Sequence, residues 1–179
     1  MRRTLIAATV LLAMGLMSTA ATAASPLFKK GGEPVCTISG SGASKSTTCS
    51  ASLAGLGGGD LVITTTVSGS AVYQCSNNGG NTAPGQNRVL VGPVTAPTTI
   101  PGNQIKNGNV SFTTNPAVLT APATVSGAQA GCPNPNWTGV NPTLTVTNVT
   151  LTIAQGGVTL FTCSASSQSG LSGRVPLSC

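Results

Sequence analysis

The chain has 179 residues, only 6% of them charged, and it contains no histidine. An average soluble domain carries about 25% charged residues. The only acidic side chains are Glu33 and Asp60, whereas general acid–base catalysis, hard-metal binding and catalytic triads draw on His, Asp and Glu. The composition therefore predicts a protein that is not an enzyme and that holds neither a metal ion nor another cofactor.

The N-terminus has the features of a signal peptide. Two arginines follow the first methionine, an apolar stretch spans residues 5–17, and Ala21 and Ala23 are the small residues that a signal peptidase accepts. The apolar stretch is shorter than the roughly 20 residues of a membrane span. We therefore predict that 1–23 is a signal peptide, with an uncleaved anchor as the alternative. After cleavage, we expect residues 24–179 to form a single secreted, extracellular domain that does not associate with the membrane.

The chain is basic, with a formal net charge of +6 and a sequence pI of about 9.3. Signal cleavage removes two arginines from that +6 and leaves +4, and only Lys29 and Lys30 are adjacent among the remaining basic residues. Phosphate binding requires a clustered patch of basic side chains. We therefore predict no nucleic-acid partner and attribute the charge to solubility.

Six cysteines lie beyond the signal peptide, and in an exported chain they predict a disulfide framework. They are Cys36, Cys49, Cys75, Cys132, Cys163 and Cys179. No Cys-x-x-Cys pair and no histidine accompany them, which argues against zinc. Six cysteines allow 15 pairings. The spacing favours sequential pairing, because the first two and the last two each flank a Gly/Ser-rich turn region, the second being Ser164–Gly173; Cys75 and Cys132 then pair by elimination.

The body of the chain predicts β-structure. Thr and Val, which suit strands, are frequent, and no helical apolar period extends beyond about two turns. Apolar and polar residues alternate along 61–68 and again along 71–75. Asn107-Gly108 and Gly156-Gly157 supply the positive φ that tight hairpin turns need. In the long strand predicted over 143–153, the inward phase slips by one residue, which predicts a β-bulge or a bend.

These elements predict an all-β fold: a single-domain, disulfide-bonded, antiparallel β-sandwich, immunoglobulin-like or related. We expect about eight or nine strands at roughly ten-residue spacing. Segments rich in turn residues predict loops at Gly55–Gly59, Asn77–Asn87 and Gly131–Pro142. Glu33 and Asp60 are predicted to be exposed turn residues and not a catalytic pair.

The two longer loops are the candidate binding site, because a Cys75–Cys132 bridge would bring them to one end of the sandwich. Amide side chains, an indole and a nearby arginine can hydrogen-bond to and stack on a neutral polar ligand such as a glycan or a peptide. The candidates are Asn77, Asn78, Asn81, Arg88, Asn134, Asn136 and Trp137. The alternative is that the loops are solvated turns and that Trp137 covers one end of the core.

The segment Cys75-Ser76-Asn77-Asn78-Gly79-Gly80-Asn81 resembles a Cys-x-Asn-x-Gly-Gly-Asn-like loop of small exported actinobacterial proteins of unassigned function. Leu56-Gly57-Gly58-Gly59-Asp60 and Gly131-Cys132-Pro133 are similar to those proteins too. The resemblance covers most of 35–163. It implies a bacterial, extracellular setting and no particular activity.

The sequence therefore predicts a secreted, non-enzymatic β-sandwich that acts as an extracellular binding or structural component. One alternative is a small-ligand carrier with a cleft between its sheets; the composition is similar to that of the enediyne-carrying apoproteins, which hold a chromophore in such a cleft. A second alternative is an extracellular enzyme inhibitor that presents a disulfide-braced loop. The oligomeric state is left open.

Overall fold

The computed structural model describes residues 25–179. The predicted signal peptide, 1–23, lies outside the described residues. The strands are β1 (Leu27–Phe28), β2 (Val35–Ser39), β3 (Ser44–Ala54), β4 (Leu61–Ser76), β5 (Thr82–Pro84), β6 (Val89–Ile100), β7 (Val110–Thr113), β8 (Ala117–Thr120), β9 (Val125–Ser126), β10 (Thr138–Gln155), β11 (Val158–Leu171) and β12 (Gly173–Pro176). A 3-10 turn spans Gly102–Gln104, and one short helix, α1, spans Gly127–Ala130.

The strands form two antiparallel sheets that pack face to face, which confirms the predicted sandwich. In sheet A, β3 pairs with β2 on one edge, β12 lies beyond β2, and β7 and β8 line the other edge. In sheet B, β4 and β10 form the centre, with β5 and β6 beside β4 and with β11 and β9 beside β10. The core is the apolar layer between the sheets.

The predicted alternation positions this core. Leu61, Ile63 and Val67 of β4 are fully buried, as are Leu53 of β3 and Leu151 of β10. Because side chains point to opposite faces along a strand, the Thr and Ser residues at alternate positions, such as Thr64 and Thr66 of β4, lie on the outer faces of the sheets. Each sheet therefore presents a surface rich in hydroxyl groups to solvent.

The predicted β-bulge is confirmed in β10. Its pairing with both neighbouring strands shifts between Val146 and Asn148, and both Val146 and Val149 are buried on either side of the shift. Opposite the bulge lies Gly69 of β4, where a Cβ atom would collide with the carbonyl oxygen of Thr145. The extra residue thus returns the second half of β10 to the inward phase, and glycine permits the close approach of the two strands.

Both predicted tight turns are confirmed. Asn107 and Gly108 have φ of 50° and 71°, and Gly156 and Gly157 have φ of 58° and 82°. The second turn joins β10 to β11. At the first turn, the strand pairing is limited to one antiparallel bridge, between Lys106 and Asn109. The reason is that β7 pairs with β3 and not with the residues before the turn.

The cysteines pair sequentially, as the spacing favoured. Cys36–Cys49 joins register partners on β2 and β3. Cys75–Cys132 joins the end of β4 to the segment after α1, and Cys163–Cys179 joins β11 to the C-terminal residue. Beside this last bridge, the backbone N–H groups of Ser164 and Ser178 donate to each other's carbonyl oxygens at 2.8 and 2.9 Å, respectively.

Three loop predictions are wrong in part. Strand β11 runs to Leu171, so most of Ser164–Gly173 is strand and not a turn. Strand β5 lies inside the loop predicted at Asn77–Asn87, and β10 begins at Thr138, inside the loop predicted at Gly131–Pro142. In each case a neighbouring strand pairs with part of the segment: β4 pairs with Thr82–Pro84 and with Thr138, and β10 pairs with residues 164–166. The described residues form 12 strands, more than the predicted eight or nine, because short strands such as β1, β5 and β9 add to the number.

The Gly55–Gly59 loop is confirmed and is closed by one side chain. The amide of Gln155 accepts a hydrogen bond from Gly57 N at 2.9 Å and donates to the carbonyl oxygens of Gly57 and Gly59 at 2.9 and 2.8 Å. Among residues 25–179, no helix is long and apolar enough to cross a membrane.

Candidate functional site

The two long loops lie at one end of sheet B, as expected from the Cys75–Cys132 bridge. Thr138, which follows Trp137, pairs with Ser76, which precedes Asn77. The backbone N–H of Asn87 also donates to Ala130 O at 3.1 Å. The structure therefore brings the predicted segments into one region.

Two of the predicted asparagines hold their own turns together. The side-chain oxygen of Asn77 accepts hydrogen bonds from Gly79 N at 3.0 Å and from Asn81 N at 2.9 Å. The side-chain oxygen of Asn134 accepts from Asn136 N at 2.9 Å. Such local bonds are the reason why asparagine favours turns. These two carbonyl groups therefore stabilise their own turns.

The other predicted residues are dispersed. Asn78, Asn81 and Asn136 are exposed, and half-buried Trp137 packs against the core. The guanidinium of Arg88 donates to the carbonyl oxygen of Gln168 in β11 at 3.4 Å. Arg88 therefore contacts the backbone of β11.

A groove of about 440 Å³ lies on the outer face of sheet B near this end, and none of the seven predicted residues lines it. Its wall includes Val72, Gln74 and Asn141, whose side-chain amide donates to Gln74 Oε1 at 2.9 Å. Tyr73 also borders the groove, with its hydroxyl donating to Pro122 O at 2.9 Å. Burial raises the pKa of Tyr73, so the phenol stays protonated at neutral pH and serves the fold.

A larger groove, of about 620 Å³, lies on the outer face of sheet A. We call it the hydroxyl groove, because five hydroxyl-bearing side chains line it together with two charged ones. The hydroxyl residues are Thr37, Ser50, Ser52, Ser111 and Thr113, and the charged residues are Glu33 and Arg174. Binding sites for small molecules commonly have volumes of roughly 300 to 1,000 Å³, so the groove is large enough for an oligosaccharide unit or a short peptide.

Strand register assembles the floor of the hydroxyl groove. Ser50 of β3 pairs with Val35 on one side and with Thr113 on the other. Two residues further along β3, Ser52 pairs with Ser111, and their hydroxyl oxygens are 2.7 Å apart. Each hydroxyl can donate one hydrogen bond and accept two. The floor therefore offers donors and acceptors without charge.

The segment between β1 and β2 forms one wall of the groove. Gly31, Gly32 and Glu33 line it, and the backbone N–H of Ser52 donates to Gly32 O at 2.8 Å. A Cβ atom at Gly32 would meet the Cβ of Ser52 at 2.6 Å. Glycine at 32 thus lets the wall lie directly against the floor.

The two charged side chains of the groove differ from Asp60 and Arg88 in their bonds to the fold. Asp60 accepts a hydrogen bond from Gly102 N at 2.8 Å, and Arg88 donates to Gln168 O. Glu33 accepts only a local bond from Gly31 N, at 3.2 Å. Arg174 is exposed, and its guanidinium donates no hydrogen bond to residues 25–179, unlike that of Arg88.

Glu33 and Asp60 are both exposed, as predicted. Glu33 precedes β2 of sheet A and Asp60 precedes β4 of sheet B, so the two acids lie next to different sheets. In the described part of the chain, no group of three or more His, Cys, Asp or Glu side chains is arranged to hold a metal ion.

Sequence reasoning missed the hydroxyl groove. Its floor consists of outward-facing Ser and Thr residues, and in the sequence these have the pattern of any solvent-exposed strand face. Glu33 and Arg174 are far apart in the sequence, and bringing them to one groove requires the pairing of β12 with β2.

Comparison with protein-family models, with curated proteins and with solved structures finds no match to this chain.

Proposed function

We propose that this chain is a secreted, extracellular, non-enzymatic protein that binds a neutral polar ligand, either a glycan or a peptide, in the hydroxyl groove. The observation that carries the proposal is a groove of about 620 Å³ lined by five hydroxyl groups. Three disulfides and an N-terminus of signal-peptide type support the extracellular location. The resemblance of the Cys75–Asn81 loop supports an actinobacterial source.

The position of the grooves favours this site over a cleft between the sheets. The two grooves described above lie on outer faces. Fully buried side chains of both sheets, among them Leu53 and Leu151, fill the layer between the sheets. A carrier with an inter-sheet cleft would need room in that layer, so an outer face is the better candidate.

The chemistry of the groove supports binding without catalysis. A serine or threonine hydroxyl becomes a useful nucleophile when a base lies beside it. Here the hydroxyls contact one another, as Ser52 and Ser111 do, and the chain has no histidine. Hydroxyl groups in this arrangement suit hydrogen bonding to sugar hydroxyls or to peptide groups.

A pair of matched variants tests the proposal. Thr113→Lys places a long charged side chain in the groove, whereas Thr95→Lys places it at an exposed threonine of β6 on the outer face of sheet B. The secreted protein is screened against a glycan array and a peptide library, and hits are titrated by nuclear magnetic resonance. We expect ligand-induced shifts at Ser50 and Ser52, lost in Thr113→Lys and retained in Thr95→Lys.

The screen also distinguishes the alternatives. Binding that shifts the Asn77–Asn81 turn and leaves the groove unchanged would favour the predicted loop site or an inhibitor that uses that turn. Absence of any ligand that shifts the groove residues would overturn the proposal. In that case a structural role would be the better hypothesis for the chain.

A further inference from the structure

The two ends of the hydroxyl groove carry opposite charges. Glu33 lies at the end formed by the β1–β2 segment, and Arg174 lies on β12 at the other end. We propose that the groove binds a short, extended peptide by both of its free ends, with the peptide ammonium group at Glu33 and its carboxylate at Arg174. This inference rests on the proposed function and specifies its ligand.

Strand register gives the separation of the two charges. Glu33, Val35 and Thr37 occupy alternate positions leading into and along β2, and Arg174 pairs with Thr37. Four residues along a strand span about 13 Å. An extended peptide advances about 3.3 to 3.6 Å per residue, so about three or four residues match that span.

The groups along this path match those of a peptide. A guanidinium presents two parallel N–H groups to a carboxylate, and a glutamate carboxylate accepts hydrogen bonds from an ammonium group. Val35 and Thr37 lie between them along β2, and on the neighbouring strand β3 the hydroxyls of Ser50, the register partner of Val35, and of Ser52 can each donate and accept. Such hydroxyls can hydrogen-bond to peptide N–H and C=O groups, which alternate along an extended chain.

The distribution of charges in the molecule supports a ligand role for this pair. The chain has two acidic residues, and the described residues contain two arginines. Asp60 and Arg88 bond to backbone groups far away in the chain, whereas Glu33 accepts a local bond from Gly31 N and lines the same groove as Arg174 of β12. Lys29 and Lys30 precede the wall but do not line the groove.

A neutral glycan would use the same hydroxyl floor but neither charge. The two ligand classes therefore differ in one measurable property, which is dependence on free peptide ends. Each contact can be tested by a double-mutant cycle: the peptide end is blocked chemically, and the protein side chain, Glu33 or Arg174, is neutralised by mutation.

The experiment titrates the oxidised, secreted protein with trialanine and tetraalanine in four forms: free, N-acetylated, C-amidated and blocked at both ends. Binding is followed by ¹⁵N–¹H resonances of Thr37, Ser50 and Ser52. The variants are Glu33→Gln and Arg174→Gln. Asp60→Asn and Arg88→Gln are the controls, because they change the net charge equally at sites outside the groove. Resonance dispersion verifies that each exposed-site variant is folded.

We expect each blocked end to weaken binding about fivefold, which is typical of a charge-assisted contact at a partly exposed site. Glu33→Gln should bind free and N-acetylated peptide equally, and Arg174→Gln should bind free and C-amidated peptide equally. The two control variants should retain both sensitivities.

Equal binding of free and doubly blocked peptide by the wild-type protein would overturn this inference and leave the proposed function standing. The same holds if only glycans shift the groove resonances. Sensitivity to acetylation that persists in Glu33→Gln would also contradict it, because the ammonium group would then have another partner. If no peptide or glycan shifts these resonances, both the inference and the proposed function fail.

Discussion

The outer faces of the two sheets have the same kinds of residues but different shapes and charges. On sheet B, Thr64 and Thr66 of β4 pair with Thr152 and Thr150 of β10, and the central part of that face carries no acidic or basic side chain. On sheet A, the hydroxyl floor is bordered by the Gly31–Glu33 wall. Its far end carries Arg174.

The comparison indicates that hydroxyl-rich strands alone do not define a site in this molecule. Threonine suits any exposed strand, because its branched side chain packs well on a pleated surface. The groove on sheet A exists because Gly32 allows the wall to lie on Ser52. The groove has one acidic and one basic end because Glu33 and Arg174 line it.

We expect the largest loss of stability from removing a disulfide, and a larger loss for Cys75–Cys132, at the end of sheet B, than for Cys36–Cys49 in sheet A. The paired cysteines are 57 residues apart in the first bridge and 13 in the second. Loop-closure entropy predicts losses of about 4 and about 3 kcal/mol, respectively, when both cysteines of a pair become serine. Urea unfolding measures the difference. A larger loss for the Cys36–Cys49 pair would show that local strand geometry, and not chain entropy, dominates.

A second pair of variants tests whether the two sheets share one core. Leu53 of sheet A and Leu151 of sheet B are both fully buried. Replacing either one with alanine should reduce the free energy of unfolding by about 3 kcal/mol, because a cavity remains in close-packed surroundings. Far-ultraviolet circular dichroism and tryptophan fluorescence should report one transition for each variant. Two separate transitions would mean that the sheets unfold independently.

The buried phenol of sheet B makes stability depend on pH at the alkaline end. Burial raises the pKa of Tyr73 above its usual value, which is about 10 in an unfolded chain. Above that pH the unfolded chain loses the proton first, so the free energy of unfolding is unaffected below about pH 10 and falls as the pH rises further. Urea titrations across this range check the decline.

Tyr73→Phe is the control for this pH effect. The variant should lose about 1 kcal/mol at neutral pH, because Pro122 O loses its hydrogen-bond donor. It should also lose the part of the alkaline decline that arises from the phenol. An unchanged decline in Tyr73→Phe would assign the effect to other groups.

The smallest expected effects have the opposite sign. Thr47 of sheet A and Thr65 of sheet B each bury a hydroxyl oxygen that has no hydrogen-bond partner within the described residues. Thr47→Val and Thr65→Val replace that hydroxyl by a methyl group and should each stabilise the fold by up to about 1 kcal/mol. Thr113→Val, at an exposed position, should change it by less than about 0.5 kcal/mol. Destabilisation by either buried substitution would indicate a bound water at that hydroxyl.

Local patterns allowed much of the fold to be predicted. Alternation along 61–68 and 71–75 identified β4, and the phase slip near Thr147 identified the bulge of β10. Pairs of residues that tolerate positive φ identified both tight turns. The spacing of the cysteines favoured the pairing that the structure has. Each of these features depends on residues close together in sequence, where backbone sterics and side-chain period act directly.

Functional placement was harder to predict. The Cys75–Cys132 bridge correctly placed two loops at one end, but Asn77 and Asn134 satisfy backbone groups of their own turns. Asparagine has the same side chain whether it closes a turn or meets a ligand, so composition could not separate the two uses.

By itself the sequence determined an all-β, disulfide-bonded chain with little charge, because strand period, turn chemistry and cysteine spacing are local properties. Only the tertiary structure decided that β12 returns to β2 and that the wall before β2 lies on β3. Those pairings join residues far apart in the chain through backbone hydrogen bonds, which any residue except proline can donate. Side-chain pattern therefore specifies that such strands exist, whereas packing of the whole core selects their neighbours and brings Glu33 and Arg174 to one groove.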